Sequence, residues 1–344
     1  MRLPRRGLLA GLATVAAGAI APAPRARADL SGPLPLALRT YPIRDLGANG
    51  LVDGRHGRLR YRGGIEVQSG ERTFGGFSSL VVLDDGGALL AVSDHGYFLA
   101  ADIRRGGDGA IVDLANAVLA PLLGPEGGLL WRQGLHDAEA LTLDGGTAYV
   151  GIEQEQVVFA YDLRAGIAAP GTPLPLPPAV RAVLDRWPGN KGIESLFVAP
   201  APSAFPGALV AIAERARRGD ATPTVGVVLT GPAAGATFAV ARSDAFEITD
   251  CAVLPDGDLL LLERRYALIS GVAARIRRVS GAALAPGATL DGPTIFEADW
   301  TNAIDNMEGL AVHRGPGGET ILTMISDDNY SLLQRTLILE FELV

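Results

Sequence analysis

The chain has 344 residues, with 38 Asp and Glu against 30 Lys and Arg and a formal net charge of −8. A balance this acidic argues against nucleic acid or an anionic membrane surface as a partner. The single cysteine, Cys251, excludes an internal disulfide and any zinc site built from several thiolates.

In chain order, the first feature is a leader over residues 1–28. Arg5 and Arg6 precede an apolar run from Gly7 to Ile20, Pro22 and Pro24 end it, and Ala26-Arg27-Ala28 offers a small-x-small cleavage site before Asp29. The run is shorter than the roughly 20 apolar residues a bilayer span needs. Paired arginines directly before Gly-Leu-Leu favour the twin-arginine export route, so the expected destination is periplasmic or secreted. The leader holds five of the 30 basic residues and no acid, which leaves 25 against 38, a balance of −13. No later apolar run is long enough for a membrane span, and residues 29–344 show no internal linker, so one domain is expected there.

Within that stretch one layout recurs five times. Two short apolar runs are joined by Asp-Gly or by a Gly- or Pro-rich turn, which is the signature of a hairpin. The units open at Ser78, Glu139, Glu194, Asp250 and Glu308, at spacings of 61, 55, 56 and 58 residues. Each has room for two further strands, giving the four-stranded blade of a β-propeller. Tyr41 to Gly76, with the last strand Thr336 to Leu343, supplies a sixth blade closed by strands from both termini, which protects the sheet edges. The fold expected is therefore all-β, a six-bladed propeller. Short helices are expected near Pro177–Arg186 and Ile111–Leu119.

The repeats also place acids. Glu139, Glu194, Asp250 and Glu308 open four of the first runs, with Ser78 in the remaining one. Asp94, Glu153, Glu214, Glu263 and Asp327 follow the second runs. A residue at one fixed place in every blade lies on a ring about the propeller axis. Carboxylates gathered in this way repel and are costly to desolvate unless neutralised. Ca²⁺, which takes oxygen ligands, is the cation such rings suit, with Glu139, Glu194, Glu308, Asp94, Glu153, Glu214, Glu263 and Asp327 as candidate ligands. The competing reading is that these acids cap turns or pair with the arginines that follow them, as Arg215, Arg264 and Arg265 do. Lys191, Arg215, Arg264, Arg265 and Arg335 could instead grip an anionic substrate, because guanidinium matches phosphate or carboxylate oxygens. His95 and His136 stand near motif acids and are candidate bases or ligands. No nucleophile elbow, phosphate loop, His-Glu-x-x-His or dinucleotide fingerprint is present, so covalent serine catalysis has no support.

Several stretches resemble the phytase-like family, whose description is esterase-like activity of phytase. They are Phe74-Gly75-Gly76-Phe77-Ser78-Ser79-Leu80 with Ala91 to Gly96, Asn190-Lys191-Gly192-Ile193-Glu194-Ser195-Leu196, and Leu254 to Arg265. The closing motifs are Asp305 to Val312, Ile325 to Tyr330 and Gln334-Arg335-Thr336. In the first motif Phe77 and Ser79 stand where the family commonly has Leu and Gly. The resemblance covers about Gly63 to Val344 and implies a propeller and phosphoric ester hydrolysis. Glu308 and Asp327 would then work at the metal, with Arg264 and Arg335 on the phosphate and Lys191, Arg215, Arg265 and His95 holding the substrate. Two alternatives stay open: a gluconolactonase-like lactonase or carboxylic esterase with one central divalent cation, and a propeller that binds a ligand without turnover. A monomer acting on a small-molecule ester is expected. Mass spectrometry of the exported protein is expected to find Asp29 at its N-terminus.

Overall fold

The computed structural model describes residue 30 and residues 32–47, 51–52, 55–215, 222–267 and 271–344. The leader over 1–28 lies outside these residues. The described chain is built almost wholly of strands arranged as a β-propeller.

Blade one runs outward through Phe77–Leu83, Ala88–Ser93, Tyr97–Arg105 and Ile111–Pro121, with Leu34–Pro35 at its rim. Blade two comprises Ala138–Asp144, Thr147–Ile152, Val157–Asp162 and Thr172–Pro173. Blade three comprises Ile193–Val198, Leu209–Ala213, Thr224–Val228 and Thr237–Val240, and Thr289–Leu290 adds a parallel edge. Blade four comprises Glu247–Val253, Leu259–Ala267, Gly271–Val279 and Thr294–Asp299. Blade five takes Asn306–Arg314 and Thr320–Asp327 from its own repeat, then Thr336–Leu343, then Leu59–Ser69 from near the other end of the chain.

Among the described residues there are thus five blades rather than six. The strands expected to form a sixth blade complete the fifth, because the fifth repeat contributes too few strands to make a blade alone. Thr336–Leu343 lies antiparallel between Thr320–Asp327 and Leu59–Ser69, with Ile338 paired to Ile325 on one side and Ile65 on the other. Closure by strands from both ends leaves no open edge at the seam.

Five apolar clusters fill the wedges between neighbouring blades. In blade four, Leu259 and Leu261 pack towards blade three with Val210 and Ile212. Leu260 and Leu262 pack towards blade five with Leu310 and Leu322. Both faces of the strand are buried, which is why its sequence is a continuous apolar run rather than an alternation. Pro178–Leu184 is a helix, as expected, and buries Val180 and Leu184 against blade three. Ile111–Pro121 is a strand, contrary to expectation. Bulges against Tyr97–Arg105 break its alternation, and Ile111, Leu114 and Ala117 are buried at a spacing that imitates a helix. No helix among the described residues is long and apolar enough to cross a membrane.

Leu339 is fully buried in the closing strand, among the side chains between blades four and five. Leu339→Ala is expected to cost about 3 kcal/mol in denaturant unfolding, since the cavity lies where the ring is sealed.

Candidate functional site

Each innermost strand carries a bulge at the same depth. Ser78, Glu139, Glu194, Thr249 and Glu308 are the extra residues, each falling between two paired positions of its strand. A bulge re-aims the extra side chain and commonly marks a functional rim. In blades one to three the second strand ends opposite this bulge, and in blades four and five it runs on past it, to Ala267 and Asp327. The residues just past the bulge along the second strands are Asp94, Glu153, Glu214, Arg264 and Asp327.

Seven carboxylates therefore converge at one mouth of the channel: Asp94, Glu139, Glu153, Glu194, Glu214, Glu308 and Asp327. Glu139 feels the charges of Glu308 and Asp94; Glu194 feels those of Glu214, Glu139 and Glu153; Asp327 feels those of Glu308 and Asp94. Two cations meet this group. Arg264 donates to Asn306 Oδ1 at 2.8 Å and to Glu308 Oε1, and lies 3.5 Å from Glu214. Lys191 Nζ stands 2.5 Å from Glu214 Oε2 and 3.8 Å from Glu247. Backbone amides help as well: Gly192 N donates to Glu153 Oε1 at 2.8 Å, and Asn329 N to Asp327 Oδ1 at 2.6 Å.

The repeat alignment slips by one residue in blade four, and a slip of one reverses which face a side chain occupies. Glu263 is consequently not on the ring. It is fully buried inside blade four, where Arg275 donates to Oε2 at 2.7 Å and Arg277 to Oε1 at 2.6 Å. Arg264 takes its ring position. Asp250 likewise lies one residue beyond the bulge at Thr249. It sits deeper and ties three blades together, accepting from Ser79 Oγ and Leu310 N, each at 2.9 Å, and from Cys251 N at 2.8 Å. A sequence signal for this register exists: Thr249 precedes the Asp256-Gly257 turn by the same seven residues that separate Ser78 from Asp85-Gly86.

The remaining candidates are spread around the mouth. His95 stacks on Tyr330 at 3.9 Å between blades one and five. Arg215 pairs with Glu247. Arg265 turns away from the carboxylates, donating to Asp244 O and lying over the Phe246 ring at 4.6 Å. Arg335 is also apart from them, 3.6 Å from Asp305 and 3.9 Å from Glu66. Beyond Asp250 the channel opens into a cavity of about 270 Å³ lined by inner-strand residues that include Leu141, Thr142, Phe197, Cys251 and Val312.

Burial raises the carboxyls of Glu139, Glu194, Glu308 and Asp327 above the usual range, and neighbouring acids add to this. Glu153 is pushed up to about 8, first by burial, with the Gly192 amide opposing and Asp137 and Glu214 adding. One buried oxygen, Glu194 Oε2, accepts no hydrogen bond. An oxygen-rich group of this kind fits Ca²⁺, which is satisfied by carboxylate oxygens without donors.

A family model described as "Phytase-like: Esterase-like activity of phytase" matches residues 72–330. The chain belongs to this family. The matched stretch of the phytase-like chain holds all seven carboxylates, Lys191 and Arg264, and leaves out Arg335 and the closing strand. No curated protein matches it. Among solved structures, Raptor from Chaetomium thermophilum aligns at 11% identity and a TM-score of 0.37, over 83% of this chain and 27% of that one. U3-55K aligns at 9% identity and a TM-score of 0.36, over 77% of this chain and 95% of that one. A Bacteroides uniformis ATCC 8492 protein assigned as a 6-phosphogluconolactonase aligns at 17% identity and 0.32, over 78% and 71%.

The raised carboxyls of the phytase-like mouth set a pH dependence. Glu153 has a folded pKa of about 8 against an ordinary 4.5. Between these values the folded chain keeps a proton that the unfolded chain has lost, so stability falls as pH rises through that window. In chelator, unfolding free energy is expected to drop between pH 5 and pH 8, by up to ~1.4 kcal/mol per pH unit for each such group. Glu153→Gln should make the slope shallower in denaturant titrations at several pH values.

Proposed function

We propose that this phytase-like propeller is an exported, divalent-metal-dependent hydrolase of phosphoric esters, with Ca²⁺ as the metal. The observation that carries this reading is the convergence of seven carboxylates at one mouth with Arg264 and Lys191 set among them. The carboxylates of Glu139, Glu153, Glu194, Glu214, Glu308 and Asp327 are the groups that would hold divalent metal. A bound divalent ion polarises a phosphoryl oxygen and lowers the pKa of an attacking water.

The protein's own groups do the rest. Asn306 Nδ2 donates to Glu308 Oε1 at 2.8 Å, and together with Arg264 it fixes that carboxylate against the channel wall. Asp327, on the neighbouring strand of the same blade, is fixed by the Asn329 amide. Arg264 and Lys191 are partly exposed, with side-chain exposures of 25% and 33%, so both can turn a donor to an anionic ester entering from solvent. His95, stacked on Tyr330, borders the same opening. Export rests on the twin-arginine pattern of residues 1–28.

The test is phosphate release from a panel of phosphomonoesters, phytate included, by the purified protein with Ca²⁺ and with a chelator. Calcium-dependent release is expected, reduced at least ~10-fold in Glu308→Gln and in Asp327→Asn, a loss of about 1.4 kcal/mol or more in transition-state stabilisation. A parallel lactone panel is included; turnover there with no phosphate release would overturn the phosphoric ester reading.

A further inference from the structure

The mouth is not symmetrical, and its most tightly gathered oxygens lie off the axis. Glu153, Glu194 and Glu214 each offer one carboxylate oxygen, and these three atoms lie within 4.8 Å of one another. All three residues are buried, with exposures of 5%, 5% and 1%. Among them Glu194 Oε2 has no hydrogen-bond partner, an expensive condition for a buried carboxylate that the charge of Arg264 offsets only in part.

The local fold holds the three residues in place. The turn after Val150–Ile152 of blade two carries Glu153 and Gln156, and both grip the segment that leads into blade three. Gly192 N donates to Glu153 Oε1 at 2.8 Å, and Ile193 N donates to Gln156 Oε1 at 3.2 Å. A Cβ on Gly192 would overlap the Gln156 amide, so this close approach needs glycine. The bulge at Glu194 follows immediately, and Glu214 closes the group from the end of the adjacent strand. The same clamp sets Lys191 over Glu214 at 2.5 Å, while the rest of its side chain reaches solvent.

We propose that Glu153, Glu194 and Glu214 form the seat of one divalent, oxygen-seeking cation between blades two and three, and that Lys191 is its placeholder. Without the cation, the ammonium neutralises Glu214. When the cation enters, Lys191 leaves Glu214 and becomes the positive group that meets the anionic part of the substrate. Cation binding therefore precedes productive substrate binding. This inference rests on the reading that the mouth takes a divalent cation, and it adds where one ion sits and which side chain yields to it.

Calcium titration calorimetry on the purified, chelator-stripped protein tests it without any turnover. Glu194→Gln is expected to lose at least ~10-fold in Ca²⁺ affinity, with one fewer ion bound. Lys191→Met is expected to bind Ca²⁺ ~10-fold more tightly, since a unit charge within a few ångströms of the ion is removed. Arg215→Met, next to Glu247 rather than Glu214, should change affinity by less than ~3-fold. Unchanged affinity in Glu194→Gln, or unchanged or weaker affinity in Lys191→Met, would overturn the seat. An equal gain in Arg215→Met would overturn the placeholder role. Far-UV circular dichroism in chelator checks folding, and should Glu194→Gln not fold, Lys191→Met decides alone. Wild-type protein that binds no Ca²⁺ sinks both this inference and the metal-dependent function. Calcium-dependent phosphate release with wild-type binding in Glu194→Gln sinks this inference alone.

Discussion

Bringing carboxylates together away from water is the constraint to which the rest of this molecule answers. A buried carboxylate loses its hydration, and each neighbouring carboxylate raises the cost of ionising it. Asp94, Glu139, Glu153, Glu194, Glu214, Glu308 and Asp327 are held in that situation by blades one, two, three and five. The surrounding devices offset the repulsion in part. Arg264 spans Glu308 and Glu214, Lys191 covers Glu214, and backbone amides reach Glu153 and Asp327. Glu194 Oε2 is left without a donor. The raised carboxyls and this orphan oxygen are two expressions of one unbalanced field.

The propeller supplies the rigidity such a site needs. Every second strand is buried on both faces between neighbouring blades, so its end cannot shift without opening two interfaces. Asp250 adds a polar tie just inside the carboxylate layer, receiving a hydroxyl from blade one and an amide from blade five. It is buried but well bonded, unlike Glu194. The contrast separates a carboxylate bonded into the fold from one whose outer oxygen the fold leaves unpaired. The seam of the ring is closed by pairing the two ends of the domain, which ties the mouth's fifth sector to both.

Blade four breaks the fivefold pattern, and the break gives the mouth a direction. Where the other blades present an acid on the second strand's side of the bulge, blade four presents Arg264, and its bulge carries Thr249. Cations thus collect on the side of blades three and four, around Lys191, Arg215 and Arg264. Asp94, Glu139 and Asp327 face them from blades one, two and five. Glu263, moved to the opposite face of its strand, serves a different purpose as the buried partner of Arg275 and Arg277.

Much of this is local in origin and therefore legible in the sequence. Five hairpin units, joined by Asp-Gly or by Gly- or Pro-rich turns, with acids at fixed places are enough to specify an all-β propeller with carboxylates about its axis, since strand periodicity and turn chemistry are short-range properties. The helix at Pro178–Leu184 follows from local pattern as well. What the tertiary structure alone decided is register and closure. Whether the terminal strands make a sixth blade or finish the fifth depends on which edge is left unpaired in space, and residues 59–69 and 336–343 meet only when the ring closes. Bulges count residues across a strand pair rather than along one strand, so the one-residue offset that puts Arg264 on the ring and Glu263 inside the blade is fixed by pairing between strands. The same holds for the grip of Gln156 and Glu153 on Gly192 and Ile193, which joins residues 37 and 39 positions apart across two blades.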